Sequence, residues 1–225
     1  MSRVLPILFN TDMTEENEFI SRVLPILFNT DMTEAILQNR KTATRRLINA
    51  QNFTMAQSAK PQFFVGDILY VRETWAFQAC VECKDLLMDD SCSKKITSTT
   101  HEDKDTVSEG CYIYRAGHPH PDRITWRPSI HMPKTAARIW LRVTDAKIQR
   151  LQDMTLDDFL REGVAIRPEA YNDPENAYTQ AREIFAGIWD STLRGSDKDK
   201  FGWPANPRVR VIEFEQCKRP EEGGC

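Results

Sequence analysis

Apolar and polar positions along this chain follow two periods, one near 2 and one near 3.6, and together they predict short strands with few helices. Val23 to Phe28 is a brief apolar run whose Pro25 predicts an edge strand or an early strand position. Asp31-Met32-Thr33-Glu34 has the form of a capping-box helix start. Met32, Ala35 and Ile36 share one helical face, and Asn39 can end the helix in the left-handed conformation. Leu47 to Lys60 is a polar connector. Gly66-Asp67 signals a turn, and the run from Ile68 to Trp75 predicts one strand. Cys111 to Ala116 predicts another, and Trp126 to Pro133 is a loop bounded by prolines. From Arg138 to Leu151 the residues alternate, with Ile139, Leu141 and Val143 on one side and Arg138, Trp140 and Arg142 on the other, as in a half-buried antiparallel strand. Thr155 caps a short helix through Gly163, with Asp157 and Asp158 in its first turn. Asn176 to Leu193 carries the stripe Ala177, Ala181, Ile184, Phe185, Ile188 and Trp189, a helix expected to cover one end of the fold. Arg208 to Glu215 is the last strand. The expected class is α+β, a small mixed β-barrel with peripheral helices.

Two segments depart from this pattern. Ser2 to Glu15 repeats Ser21 to Glu34 letter for letter, and only the second copy continues into the predicted helix. Residues 1–20 are therefore expected to be a duplicated, mobile tail, residues 21–215 the domain, and residues 216–225 a flexible tail. Ala76 to Glu109 is rich in Asp, Ser, Lys and Thr and predicts an insertion or flap within that domain.

The chain has 225 residues, 40% of them hydrophobic, which is ample for one core. No stretch approaches the ~18 apolar residues of a membrane span, and no secretory signal is evident, so a cytoplasmic protein with no membrane partner is expected. Six cysteines are present, Cys80, Cys83, Cys92, Cys111, Cys217 and Cys225. Reduced thiols are the default reading. Cys80 and Cys83 have zinc-ligand spacing that Cys92 and Cys111 could complete, but one CxxC pair is weak, and no metal or cofactor is assigned. His118-Pro119-His120 supports no metal site, and His131 reads as a loop residue.

Charge changes the picture in one place. The formal net charge is -3, yet Arg40-Lys41-Thr42-Ala43-Thr44-Arg45-Arg46 gathers four cations and two hydroxyls just past the first predicted helix. Such a group suits a phosphate or another oxyanion. The bland alternative is a solvated basic helix end. Trp75 and Trp126 could stack on a base, although a Trp at a strand end more often packs in a core or rim.

Taken together, the chain resembles the ASCH family of PUA-like β-barrels. The resemblance rests on Asn39 to Arg46, on Gly66 to Val71, on Leu151 to Thr155 leading to Glu162-Gly163, and on Val211 to Phe214. It is similar to the larger phage- and prophage-type members through Arg72-Glu73-Thr74-Trp75 and Trp126 to Pro133. Asn39 stands where the family usually has Gly, and both tolerate the left-handed region. The resemblance implies binding of a nucleoside, nucleotide or RNA segment in a cleft beside the first helix, with Arg40, Thr42, Arg45, Arg46, Arg72, Glu73, Trp75 and Trp126 as binding positions. It also implies amidohydrolase chemistry on acetylated cytidine, with Lys41, Thr44 and Glu162 as the catalytic set.

That set makes chemical sense. A Thr hydroxyl attacks only if a neighbour takes its proton, and a Lys desolvated among arginines could do so. Glu162 could protonate the leaving amine or orient the Lys, and the arginines could face a developing oxyanion. Glu162 could equally be a structural partner of an Arg, and Thr44 a turn cap. The alternatives are a non-catalytic RNA-binding module or a phage or host interaction module. No protein partner is identifiable from the sequence.

Overall fold

The computed structural model describes residues 22–48, 63–79, 99–103 and 106–220. The duplicated segment, most of the polar connector and Cys80, Cys83, Cys92 and Cys225 lie outside the described residues. The strands are β1 (Val23–Leu27), β2 (Ala43–Leu47), β3 (Ile68–Arg72), β4 (Trp75–Ala79), β5 (Thr99–Asp103), β6 (Thr106–Tyr114), β7 (Trp140–Arg150) and β8 (Arg208–Cys217). The helices are α1 (Thr30–Leu37), α2 (Leu156–Arg161), α3 (Pro174–Ser191) and α4 (Asp197–Phe201). The α+β class with a mixed sheet is what the pattern predicts.

Five strands form one sheet in the order β1-β3-β7-β8-β2, with β1 parallel to β3 and the other pairs antiparallel. Pro25 lies on the edge strand, where its missing N–H costs no ladder bond. The ladder order leaves β1 and β2 at its two ends, yet the sheet curls far enough for a β2 side chain to reach β1. Arg46 of β2 donates from Nη2 to the Leu27 carbonyl of β1 at 2.7 Å. A side chain thus joins the two edges of the sheet. Inside the curl, Ile26, Phe28, Ile36, Leu69, Val71, Ile139, Leu141, Val143, Ile212 and Phe214 make a buried cluster.

The structure departs from the sequence reading in several places. The run from Ile68 to Trp75 is two strands, because the chain leaves the main sheet at Glu73-Thr74 and Trp75 begins a three-stranded sheet of order β4-β6-β5. The described ends of the polar insertion therefore form ladder-paired strands in that second sheet. Trp140, placed on the polar side of its strand, is buried with Ile68, Trp75, Met132, Ala136 and Ala137, so this end of β7 is covered on both faces. The first helix is capped by Asn29, whose Oδ1 accepts from Met32 N at 2.8 Å, two residues before the expected start. Gln216 and Cys217 continue β8 and do not belong to a tail. Ala177, Ala181, Phe185 and Trp189 of α3 are buried against α2 and Val209, whereas Ile184 of the same stripe is 37% exposed.

The curl depends on the apolar interior. Leu141, with no exposed surface at the middle of that cluster, is expected to cost about 2–5 kcal/mol on Leu141→Ala. Urea unfolding with an unchanged slope would show it, and a loss below about 1 kcal/mol would mean the curl is held elsewhere.

Candidate functional site

The basic segment is not a loop throughout. Arg40 to Thr42 turn away from α1, after which Ala43–Leu47 is β2, paired in register with Glu213, Ile212, Val211, Arg210 and Val209. Asn39 makes that turn in the left-handed region at φ 56. Lys41 then forms an isolated backbone bridge with Glu162, just past the end of α2.

Around the Glu162 carboxylate the charges close in. Lys41 Nζ donates to Oε2 at 2.5 Å and to the Glu162 carbonyl at 2.8 Å. Arg45 Nη1 donates to Oε1 at 3.1 Å, and Arg45 Nη2 reaches Asp158 Oδ1 at 2.6 Å. Gln149, turned so that its oxygen faces the guanidinium, accepts from Arg45 Nη2 at 3.0 Å. The side chains of Lys41 and Arg45 are wholly buried, and that of Glu162 is 4% exposed. A charged residue can sit inside a strand here because two carboxylates and an amide satisfy its donors.

Two protons of the Lys41 ammonium are taken by Glu162, and the Phe28 ring lies 5.6 Å from Nζ. Burial pulls the Lys41 amine below its ordinary range; Arg46 and Arg45 push the same way, and Glu162 opposes them. The Arg46 guanidinium lies 5.2 Å from the same Phe28 ring. Burial also holds it below its usual value, with Glu162 opposing. Thr44 stands opposite Ile212, as Arg46 stands opposite Arg210, so pleating puts Thr44 and Arg46 on the Phe28 face of the sheet. Arg45 points to the other face, under α2. The structure therefore joins Lys41 to Glu162 directly and sets Thr44 in the adjacent row, with no hydrogen bond to either among the described residues. Lys41 reaches the Phe28 face from before the strand, and the expected turn joining Lys41 to Thr44 is not formed.

The other expected positions divide. Arg40 is exposed and donates to the Gly163 carbonyl at 2.9 Å, at the rim of this cluster. Thr42 is turned to Arg161, whose Nε donates to its hydroxyl at 3.4 Å, and Arg161 in turn pairs with Glu213 at 2.6 Å. Arg72 lies on the face of β3 opposite Val71 and donates to the Ile130 carbonyl. Glu73 is 1% exposed and held by both nitrogens of an Arg138 fork at 2.9 and 2.8 Å. Burial raises its carboxyl above the usual range and Arg138 opposes. Trp75 is likewise 1% exposed, with Arg127 over its ring and Tyr112 at its edge. These contacts make Glu73 and Trp75 parts of the core between the sheets. Trp126 is half-buried, donating to the Pro121 carbonyl at 2.6 Å and packed on His118. No hydrogen bond or ion pair of the Arg72, Glu73 or Trp126 side chain reaches Lys41 or Glu162 among the described residues, since their partners are Ile130, Arg138 and Pro121.

Sequence reasoning missed Phe28, Asp158, Gln149 and Gly163 as site members. Asp158 was legible only as a helix-start acid. It completes a capping box with Thr155 while its Oδ1 takes Arg45. Gly163 has φ +92, and a Cβ there would lie 2.9 Å from Ala35 Cβ and 3.2 Å from Lys41 Cβ. Only glycine allows the Ala35 and Lys41 side chains to come so near. Among the described residues no cluster of three or more His, Cys, Asp or Glu could hold a metal ion.

No known family profile matches the chain, and no curated protein matches it. Among solved structures, the chain is similar to an ASCH domain from Lactobacillus crispatus JV V101, at 8% identity and a TM-score of 0.41, over 87% of this chain and 79% of that one. The likeness is too slight to carry a residue's role from one chain to the other.

Gly163→Ala is expected to cost about 1–3 kcal/mol, combining left-handed strain with the Ala35 and Lys41 contacts. A melting curve indistinguishable from wild type would mean the bridge is loose. Thr155→Ala should cost about 1 kcal/mol at neutral pH. Burial pulls the Asp158 carboxyl up, but Thr155 and Arg45 outweigh it and hold it below its ordinary range. A depressed carboxyl contributes stability above its unfolded value and loses it as pH falls through the folded one. The wild-type advantage over Thr155→Ala should therefore narrow in acid, as urea midpoints at neutral pH and near pH 3 would show.

Proposed function

We propose that the chain binds a nucleoside, nucleotide or RNA segment in the cleft where β1 and β2 meet, and hydrolyses the amide of acetylated cytidine there. The observation that carries this reading is the buried Lys41–Glu162 pair, with the amine held below its ordinary range and Arg46 beside it on Phe28. Three cations, Lys41, Arg45 and Arg46, meet two carboxylates, Glu162 and Asp158, so the site favours an electron-rich ligand. The ASCH resemblance in Asn39 to Arg46 and Glu162-Gly163 points the same way.

In this mechanism the Thr44 hydroxyl attacks the acyl carbon while the neutral Lys41 amine takes its proton. The carbonyl electron pair moves onto oxygen, faced by Arg46. As the C–N bond breaks, the Lys41 ammonium, held by Glu162, returns that proton to the exocyclic nitrogen. Water then hydrolyses the Thr44 ester and acetate leaves. A second reading, binding without turnover, is favoured by the complete burial of the Lys41 side chain, which a reacting group must leave or the substrate must reach.

Turnover of N-acetylcytidine, followed by mass, is expected for the wild type. Lys41→Ala, Thr44→Ala and Glu162→Gln should each reduce it by about 100-fold or more. Absence of turnover across acylated nucleosides, with binding retained, would select the second reading.

A further inference from the structure

The Phe28 face of the main sheet continues past Thr44 into two rows of arginines. Register places Thr44, Ile212 and Ala146 side by side on β2, β8 and β7. The next row on the same face is Arg46, Arg210 and Ile148, and beyond it Arg208 stands opposite Arg150. Ile148 is 51% exposed, and Arg208 and Arg150 are exposed. Arg46 donates to Leu27 and Arg150 to the Asn206 carbonyl at 3.1 Å. The side chains of Arg208 and Arg210 make no hydrogen bond or ion pair among the described residues.

The opposite face of the same strands differs in sign. There Glu213 takes Lys147 at 2.9 Å and Arg161 at 2.6 Å, and Asp145 lies beside them. The sheet therefore sorts its charges, with acids and their partners on one side and four arginines in two adjacent rows on the other. In a chain of net charge -3 that concentration is local. Rows on one face repeat about every 6.8 Å along a strand, so the Arg210 and Arg208 guanidinium groups can meet successive phosphates of one backbone.

From this we infer that the β8–β7 face is a phosphate track, and that the ligand is a single-stranded RNA whose backbone crosses Arg210 and Arg208 while one nucleotide enters the Phe28–Thr44 cleft. The inference rests on the proposed nucleotide cleft and specifies its ligand as a polymer. A single strand is favoured because a paired base reaches Thr44 only after unstacking and unpairing, at about a few kcal/mol.

The test measures binding of a labelled single-stranded RNA of about 12 nucleotides, within the usual span of such sites, by anisotropy over a range of salt. Each phosphate contact adds about 0.7 to the slope of log K against log salt, so Arg208→Gln/Arg210→Gln should lower the slope by about 1.4. The charge-keeping pair Arg208→Lys/Arg210→Lys should retain it, and so should Arg123→Gln/Lys134→Gln, a remote exposed pair in the segment before β7, whose far end carries Arg150. Four results would overturn the track: no wild-type binding, an unchanged slope in the Gln pair, an equal fall in the remote pair, or equal binding of duplex RNA or anionic vesicles. N-acetylcytidine turnover by the same wild-type sample separates failure of the track from failure of the cleft reading.

Discussion

Everything near the site is organised by one carboxylate. Glu162 takes Lys41 from before β2 and Arg45 from within it, and its own backbone bridges to Lys41. Those three links fasten the end of α2 to the edge strand of the main sheet. Because β2 is also where the curled sheet meets β1 through Arg46, the same carboxylate sets the position of the seam. Fold and site share their fastening.

Such a cluster is a poor device for stability alone. Burying ions costs several kcal/mol each, and well-packed apolar residues often match or exceed what a buried pair contributes. Yet removing one partner strands the other, at about 3–5 kcal/mol. The arrangement is therefore costly to keep and costly to break. An excess cation, an amine pulled below its range and a glycine needed for close approach together favour a functional reason for retaining it.

Legibility followed the range of the interaction. Strands whose alternation is local, such as β7 and β8, could be read because period 2 with one apolar side demands a half-buried strand. The Asn39 turn and the Thr155 cap were legible for the same reason: backbone geometry there is set by one or two residues. Basic residues in β2 read as a loop because a strand with two arginines buries them only if acids arrive from elsewhere, and Asp158 and Glu162 come from more than a hundred positions away. Trp75 and Glu73 show the same dependence on distant partners. Their motif resembles a ligand-binding segment, but Arg138 and Tyr112 reach them from distant sequence and enclose them. Phe28 carried no signal beyond its apolar run, since nothing local shows that two cations will settle on its ring.

The two faces of β2 divide the labour that the sequence presents as one cluster. Pleating sends Arg45 under α2, where it is spent on Glu162 and Asp158, and sends Thr44 and Arg46 to the Phe28 side. Arg45 thus belongs to the support of the cluster, whereas Arg46 and Thr44 share the Phe28 side. Lys41 escapes this division because it precedes the strand, so its long side chain can hold Glu162 while its ammonium lies over Phe28. A one-residue change of register would exchange the faces, putting Thr44 under the helix and Arg45 in the cleft. The Lys41–Glu162 bridge opposes that slip, so the pair also keeps the Thr44 hydroxyl on the Phe28 side.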